Sequence, residues 1–484
     1  MSILKDASAT AVYGSRASNG IVQIVTKRGK SGRVSIDYDF NMSFSQPSIW
    51  PEKMHSYERA EWANIAKNND LLNGQENPVY TAEAIQKMRD GSDPLNFSDT
   101  DWRKLVLKDW APQSKHTVRL TGGNDVHQFY ISLGHIDQNS LYRSNNHWMK
   151  RTTFRLAESA NIKALGLQVN AALDGYRQHQ EHPYTSTSSS YFNVFSHIND
   201  KSPMIPGVNS LGLPYNVTDN PVAETASDAG YQRSIVNVIN GKGELVWSCL
   251  WVDGLKVRLA SNYRYYGETY KNWRKDAAQY DWDSDVAQYA NKPQLSHTSG
   301  TGYSYTNQAF LEYANTFGQH NISALGGFEQ YYEKGESYGA TRIGYDFPID
   351  QMNVGPANDM TNSGSESELG RAAWIGQLKY NYANKYYAEA SIRYDGSDYF
   401  APGHRWGAFY SGALGWVITE EKFMKSLVEK NIFNSLKLRA SYGQTGLDSS
   451  AGRFAYLTSY SLNNQAYVIN GKYVPGFSEG SLPS

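Results

Sequence analysis

The sequence predicts an all-β fold, an antiparallel β-barrel wall that crosses a membrane on its strands. Three observations lead there. Apolar and polar residues alternate with period two along the chain, the mark of strands with one apolar and one polar face. The links between those strands alternate between long and short, so the long ones collect at one end. No run of about 18 apolar residues is present to make a membrane helix. The negative mean hydropathy does not exclude the membrane, because a barrel's strands are apolar on one side only.

The first strand covers 33–44, where Val34, Ile36, Tyr38, Phe40, Met42 and Phe44 alternate with Ser35, Asp37, Asp39 and Asn41. Strands follow near 114–123, 126–138, 147–162 and 165–176, the last with Leu165, Leu167, Val169, Ala171 and Leu173 on one face. Further strands lie near 230–249, 252–266, 298–316, 319–333, 371–382, 385–396, 407–419 and 434–443. Short links include Gly123-Asn124-Asp125, Lys163-Ala164 and Ala383-Asn384, and long ones fall at 45–113, 177–229, 267–297, 334–370 and 397–406. Consecutive antiparallel strands leave at opposite ends, so the long links share one rim, as in outer-membrane barrels. The misfit is 420–433, whose Glu420-Glu421-Lys422-Phe423-Met424 looks helical on the short-turn side. Tyr263, Tyr265, Tyr266, Trp374, Tyr386, Tyr387, Trp406 and Trp416 suit aromatic girdles, or ordinary cross-strand packing. A soluble sandwich or propeller would not sort its loops by length to one end or lack a fixed repeat.

Composition narrows the function. A net charge of −1 leaves no electrostatic footprint for nucleic acid. The single cysteine, Cys249, has no partner in the chain for a disulfide and reads as a small apolar strand residue.

The chain opens with Lys5-Asp6-Ala7-Ser8-Ala9-Thr10-Ala11-Val12-Tyr13-Gly14-Ser15-Arg16-Ala17-Ser18-Asn19-Gly20-Ile21-Val22. Asp6 or Ser8 caps an Ala-rich helical turn, Gly14 ends it, Asn19-Gly20 turns the chain, and Ile21 to Val25 forms a short strand. These residues, with Thr26-Lys27-Arg28-Gly29-Lys30 after them, closely resemble the end of the plug domain in SusC/RagA-type TonB-linked outer-membrane transporters. Two later stretches resemble the same family in the same order. One runs from Lys385-Tyr386-Tyr387 through Arg393-Tyr394-Asp395-Gly396-Ser397 to Leu414-Gly415-Trp416; the other is Leu436 to Gly446, followed by Leu447 where the family commonly has Asn.

The resemblance implies a transmembrane β-barrel, of 22 strands in the family and partial here, preceded by the tail of an α+β plug domain. Residues 1–30 are then the plug's end, and 31–484 a partial TonB-dependent receptor barrel with long external loops at 45–113, 177–229, 267–297 and 334–370. Asp6, Tyr13, Gly14, Arg16, Asn19 and Gly20 become structural residues of the plug motif. It implies import of a bulky nutrient, foremost a glycan or oligosaccharide, across the outer membrane of a Gram-negative, Bacteroidetes-type bacterium. Expected partners are a SusD-like surface lipoprotein, TonB through an N-terminal part preceding Lys5, and outer-membrane lipid. An oligopeptide importer of the same family, a receptor or adhesin barrel, and a secreted soluble β-rich glycan-binding protein or glycosidase are the alternatives. No leader precedes Lys5 and about thirteen strands are counted, so truncation at both ends is expected, with aggregation of the isolated piece through its open sheet edges.

Motifs of bond chemistry fail on inspection, so no enzyme is expected. Gly29-Lys30-Ser31 lacks the earlier glycine of a phosphate loop, and Gly476-Phe477-Ser478-Glu479-Gly480 lacks the Asp and His that must follow a nucleophile elbow. No cofactor or metal is expected. Asp281, Asp283 and Asp285 offer three carboxylates, but Val286 and Lys292 stand where a calcium loop needs glycine and glutamate, so a solvated acidic loop is the stronger reading. His179 and His182 lack helical zinc-site spacing and fall in a loop. The candidate ligand contacts are loop aromatics amid Asn, Ser and Asp, namely Tyr184, Tyr191, Phe192, Tyr215, Trp273 and Trp282, with Phe195, Tyr280 and Tyr289 beside them. Flat rings next to amides and carboxylates suit sugars, and peptides nearly as well. Packing of the rings against one another is the competing reading for each.

Overall fold

The computed structural model describes residues 2–4, 21–24, 26–69, 78–184, 190–289, 291–448 and 452–479. Two short strands, β1 (Ser2–Leu4) and β2 (Ile21–Gln23), pair antiparallel. Asp6, Tyr13, Gly14, Arg16, Asn19 and Gly20 lie outside the described residues.

Thirteen strands then form one antiparallel meander, each bonded only to its sequence neighbours. They are β3 (Gly32–Ser45), β4 (Ala111–Gly123), β5 (His127–Asn139), β6 (Trp148–Ile162) and β7 (Leu167–Pro183). Next come β8 (Tyr231–Ser248), β9 (Leu255–Arg274), β10 (Gln294–Phe317) and β11 (His320–Ile343). The last are β12 (Met360–Tyr382), β13 (Tyr386–Ser397), β14 (Trp406–Val417) and β15 (Lys437–Gly443). β3 and β15 are the edges, and the sheet is not closed. Each of the thirteen sits where the alternation places it.

The strands reach farther toward the long loops than the sequence indicates. β7 runs into 177–229, β9 and β10 into 267–297, and β11 and β12 into 334–370. There both faces are polar, as in Asn362-Ser363-Gly364-Ser365-Glu366-Ser367, so the apolar alternation fades although backbone pairing continues. Residues 418–436 do carry the helical turns suspected there, Ile418–Glu420, Lys422–Met424 and Lys425–Glu429.

Register shows which side chains share a face, because directly opposed residues point the same way. One row joins Tyr38, Val118, Leu133, Phe154, Gly175, Ile239, Tyr265 and Tyr303 across eight strands. This outward face is apolar yet uncovered: Ile36 is 72% exposed, Leu133 56%, Leu311 53% and Leu414 67%. A soluble protein would bury such a face; a barrel in lipid leaves it bare. From Leu255 to Tyr265 the apolar series on β9 spans about 25 Å along the barrel axis, the height of a bilayer's apolar band. Tyr263, Tyr303, Tyr332 and Tyr305 follow one another along its upper rim, with ring centroids 5.4–6.1 Å apart. Tyr382 and Tyr386 mark the lower one, where Glu421 accepts from the Tyr386 hydroxyl at 2.5 Å and from the Trp416 indole at 3.3 Å.

The large buried hydrophobic clusters sit in the loops and at the upper strand ends beside them instead. One combines Trp102, Val106, Leu141, Tyr142, Val194 and Ile198; the other joins Trp273, Leu295 and Tyr345. The long links hold helices, α1 (Ser56–Asn69), α2 (Ala82–Asp90), α3 (Trp102–Val106), α4 (Ser190–Asp200) and α5 (Pro221–Glu224), and the first cluster draws on α3 and α4, with Val222 of α5 packed against it. Thr81 caps α2 through the Ala84 amide and Gly91, at φ 66°, ends it.

After β15 a hairpin of β16 (Tyr460–Ile469) and β17 (Lys472–Glu479) turns at Asn470-Gly471, both at positive φ as a type I′ turn requires. Phe477, Ser478 and Glu479 are strand residues of β17, not a strand-to-helix elbow.

Candidate functional site

The inward face carries the polar half of every alternation, and several of its charges are paired. On β6–β8 the Arg155 guanidinium donates to Asp174 at 2.6 Å, and Asn240 donates to the other oxygen at 2.9 Å. On β9 Arg258 lies between Glu244 and Glu312, at 2.7 Å from each, while Asn170 also donates to Glu244. On β11–β13 Arg393 donates to Glu329 at 2.9 Å and Asp395 at 2.5 Å, all three buried, and Gln308 donates to Glu329. Such pairs are held by geometry, since breaking one leaves a desolvated charge. Thr26 accepts from Arg155 at 2.7 Å, so the segment after β2 runs along this inward face. Gly29 lies flush against β5, where a Cβ would come within 2.5 Å of the Phe129 backbone nitrogen.

Higher up, the wall of β9–β12 opens into a groove of about 500 Å³ floored by Gly300, Gly302, Ser304, Gly335, Ser365 and Ser367. Arg264, Tyr266, Tyr331 and Glu333 rise around it. The Tyr266 hydroxyl donates to Glu268 at 2.5 Å, and Tyr331 donates to Glu333. Rings beside carboxylates over a flat floor offer stacking faces and acceptors to a hydroxyl- or amide-bearing chain. These are strand residues, outside the loops in which the aromatic-rich sequence points to ligands, and their signal is the polar half of the alternation.

The loop aromatics separate into different settings. Trp273 lies at the top of β9, only 4% exposed, edge-on to Tyr345 at 5.1 Å. Tyr215 meets Trp282 edge-on at 6.2 Å, and its segment bridges to Tyr280. Asn209 fixes the same corner by donating to the backbone carbonyls of Asp281 and Ser284. Phe195 packs against the first loop core, Tyr289 is exposed, and Tyr184 is half-buried, which raises its hydroxyl's pKa. Tyr191 and Phe192 fall in α4.

Asp281 is tied to Gln288, which donates to it at 2.6 Å, and the structure does not gather Asp281, Asp283 and Asp285 into a cage. Among the described residues, the three acid or imidazole groups that converge within 4.8 Å are His197, Asp219 and Glu224. His197 Nδ1 is 2.8 Å from Glu224, and that bond raises the imidazole's pKa. The imidazole thus sits between two carboxylates, which favour its charged form. His147 goes the other way: 3% exposed, with neither ring nitrogen partnered among the described residues, it is pushed by burial down to about 3.

No protein-family model matches the chain. Over 503 residues it is 27% identical to the TonB-dependent receptor SusC of Bacteroides thetaiotaomicron, covering 96% of this chain and 45% of that protein. A TonB-dependent receptor of Formosa agariphila is 24% identical over 493 residues, covering 100% of this chain and 43% of its own length. Among solved structures, the RagAB peptide importer in its open-open state matches with a TM-score of 0.74 at 22% identity, over 99% of this chain and 54% of that one. The closed-closed state gives 0.75 at 21%. The chain spans less than half the length of these curated relatives. Along nearly its whole length the chain is similar in sequence to SusC and other TonB-dependent receptors, and it shares the fold of RagAB.

Proposed function

We propose that the protein carrying this sheet imports a bulky nutrient across the outer membrane of a Gram-negative bacterium. TonB supplies the pull that opens the plug, and a SusD-like surface lipoprotein covers the loops. The observation that supports this most directly is the two-sided wall. Its outer face is bare and apolar between aromatic rims, and its inner face is polar and carries ion pairs such as Arg258 with Glu244 and Arg393 with Glu329. That arrangement gates and conducts a bound ligand; it makes and breaks no covalent bond. A soluble β-rich protein would have covered Ile36, Leu133 and Leu414.

The cargo we favour is an oligosaccharide. The inward groove pairs the Tyr266 and Tyr331 hydroxyls with Glu268 and Glu333 over a Gly/Ser floor, and the loop corner at Tyr215 and Trp282 adds aromatic edges. The fold shared with the RagAB peptide importer favours an oligopeptide as the second reading. Uptake of labelled oligosaccharides and of a labelled peptide pool, in cells with and without the gene and with and without TonB, tests both. Saccharide uptake lost in either deletion is expected. Uptake that persists without TonB overturns the transport mechanism, peptide uptake alone transfers the cargo to the second reading, and a full-length product soluble without detergent overturns the membrane assignment.

A further inference from the structure

Outward-facing side chains change character at one height. Read upward, β6 presents Leu156, Phe154, Thr152 and Lys150, and β7 presents Leu173, Gly175, Arg177 and His179. β8 presents Ile239, Asn237, Ile235 and Arg233, and β9 presents Tyr265, Gly267, Thr269 and Lys271. On four consecutive strands the first outward charge above the apolar band is therefore a cation. Two of the four are committed within the protein. Arg233 donates twice to Glu181, at 2.9 and 2.7 Å, and Lys271 donates to Asp350 at 2.7 Å.

The other two stand together and are not committed in that way. Thr152 opposes Arg177 and Lys150 opposes His179, so Lys150 and Arg177 are diagonal neighbours on one face, about 7–8 Å apart at Cα. The Arg177 side chain is exposed, and its guanidinium has no hydrogen-bond or ion-pair partner among the described residues. Lys150 is only loosely held, 3.6 Å from Asp137, with its ammonium 5.1 Å from the Trp148 ring centroid. Trp148 in turn packs edge-on to His179 at 4.7 Å, which gives the pair a rigid aromatic flank.

A guanidinium with free donors, placed a few residues above lipid-facing apolar side chains, sits at the level of headgroup phosphates, and its planar fork matches a phosphate's oxygens. A neighbouring ammonium whose stem lies along a ring reaches the same level. We infer that Arg177 and Lys150 form a binding site for the phosphate group of an outer-leaflet lipid headgroup, with Trp148 and His179 as its flank. The inference rests on the outward face being lipid-facing, as proposed above. It adds a fixed point of contact at which a phosphorylated lipid stays with the barrel.

The test uses the full-length protein in an uncharged detergent, with bound lipid counted by native mass spectrometry. A phosphorylated glycolipid, its dephosphorylated form and inorganic phosphate are titrated separately. The parent is expected to keep the phosphorylated lipid, and the variant carrying Lys150→Ala with Arg177→Ala to bind it at least roughly tenfold more weakly. Lys334→Ala, an outward cation set between Glu366 and Glu368, is expected to bind as the parent does. Arg177→Lys keeps the charge without the fork and should fall between. Equal binding by the double variant, or equally tight binding of the dephosphorylated lipid, overturns the site. Inorganic phosphate binding as tightly as the lipid overturns the headgroup as its source. Heat-modifiable migration on gels, recorded for every variant, separates loss of this site from failure of the barrel assignment.

Discussion

Arg371 and Asp448 meet in a two-pronged ion pair, the guanidinium Nε at 2.5 Å and Nη2 at 3.0 Å from the two carboxylate oxygens, although 77 residues separate them. Asp448 is 4% exposed and also accepts from the Ser397 hydroxyl at 2.9 Å. The pair ties the upper inward side of β12 to the chain beyond β15. Asp448→Ala leaves a largely buried guanidinium without its counter-charge, at an expected cost of about 3–5 kcal/mol. Thermal unfolding of the full-length protein in detergent reads this, and Arg371→Ala added to Asp448→Ala should recover part of the loss. Additive losses would mean that the two side chains act independently.

Facing is testable on one strand. Leu259 points outward from within the Leu255–Tyr265 apolar series of β9 and is 47% exposed, whereas Asn262 points inward. Leu259→Arg places a charge against the hydrocarbon and should destabilise by about 2–4 kcal/mol, while Asn262→Arg should cost well under half of that. Folding titrations into lipid vesicles measure both. The reverse order would exchange the two faces of the sheet.

These faces were legible in the sequence because lipid imposes the same one-sided alternation on every strand. Val34 through Phe44 and Tyr386 through Tyr394 display it without a break, and both are strands. Above the membrane that constraint ends, so the upper halves of β10, β11 and β12 read as loop. The hairpin at Asn470-Gly471 carried the strongest of short turn signals and was missed because its strands mix polar and apolar residues on both faces. The inward pairs escaped for a different reason. Arg393, Glu329 and Asp395 are polar positions like any others until register brings β11 beside β13's neighbour, and partners 64 residues apart leave no local pattern. Trp273 looked like a loop contact because the end of β9 could not be seen, and packing alone decides that it faces Tyr345.

Two histidines of the external loops give a pH dependence of fixed sign. Glu224 raises the pKa of His197 above its usual 6.5, so the stability this pair adds is complete below 6.5 and declines as pH rises through the raised value. Burial lowers His147 to about 3, so its site is fully stable above 6.5 and loses stability as pH falls from there toward 3. The loop core that joins α4 to Tyr142, the ring against which His147 packs at 5.4 Å, should therefore be most protected near pH 6.5. Hydrogen exchange of α4 amides across pH 4–9, corrected for intrinsic rates, checks it. His197→Gln should flatten the alkaline side and leave the acid side unchanged; an unaltered alkaline limb would assign that dependence to another group.

Trp273 and Trp282, both named from sequence as ligand contacts, should respond oppositely to truncation. Trp273 is 4% exposed and joins Leu295 and Tyr345, each 1% exposed, so Trp273→Ala opens a cavity worth about 3–5 kcal/mol of local stability. Its effect should appear as faster hydrogen exchange across 344–359, with cargo affinity changing only as far as that loop is disordered. Trp282 is half-buried, touches Tyr215 only edge-on, and has its backbone carbonyl held by Ser210, so the corner keeps its shape without the ring. Trp282→Ala should leave exchange unchanged and weaken cargo binding by about 0.5–1.5 kcal/mol, the worth of one aromatic contact. Unchanged affinity in Trp282→Ala would return that ring to the packing reading. Unchanged exchange in Trp273→Ala would deny Trp273 its place as the post on which the 344–359 loop rests.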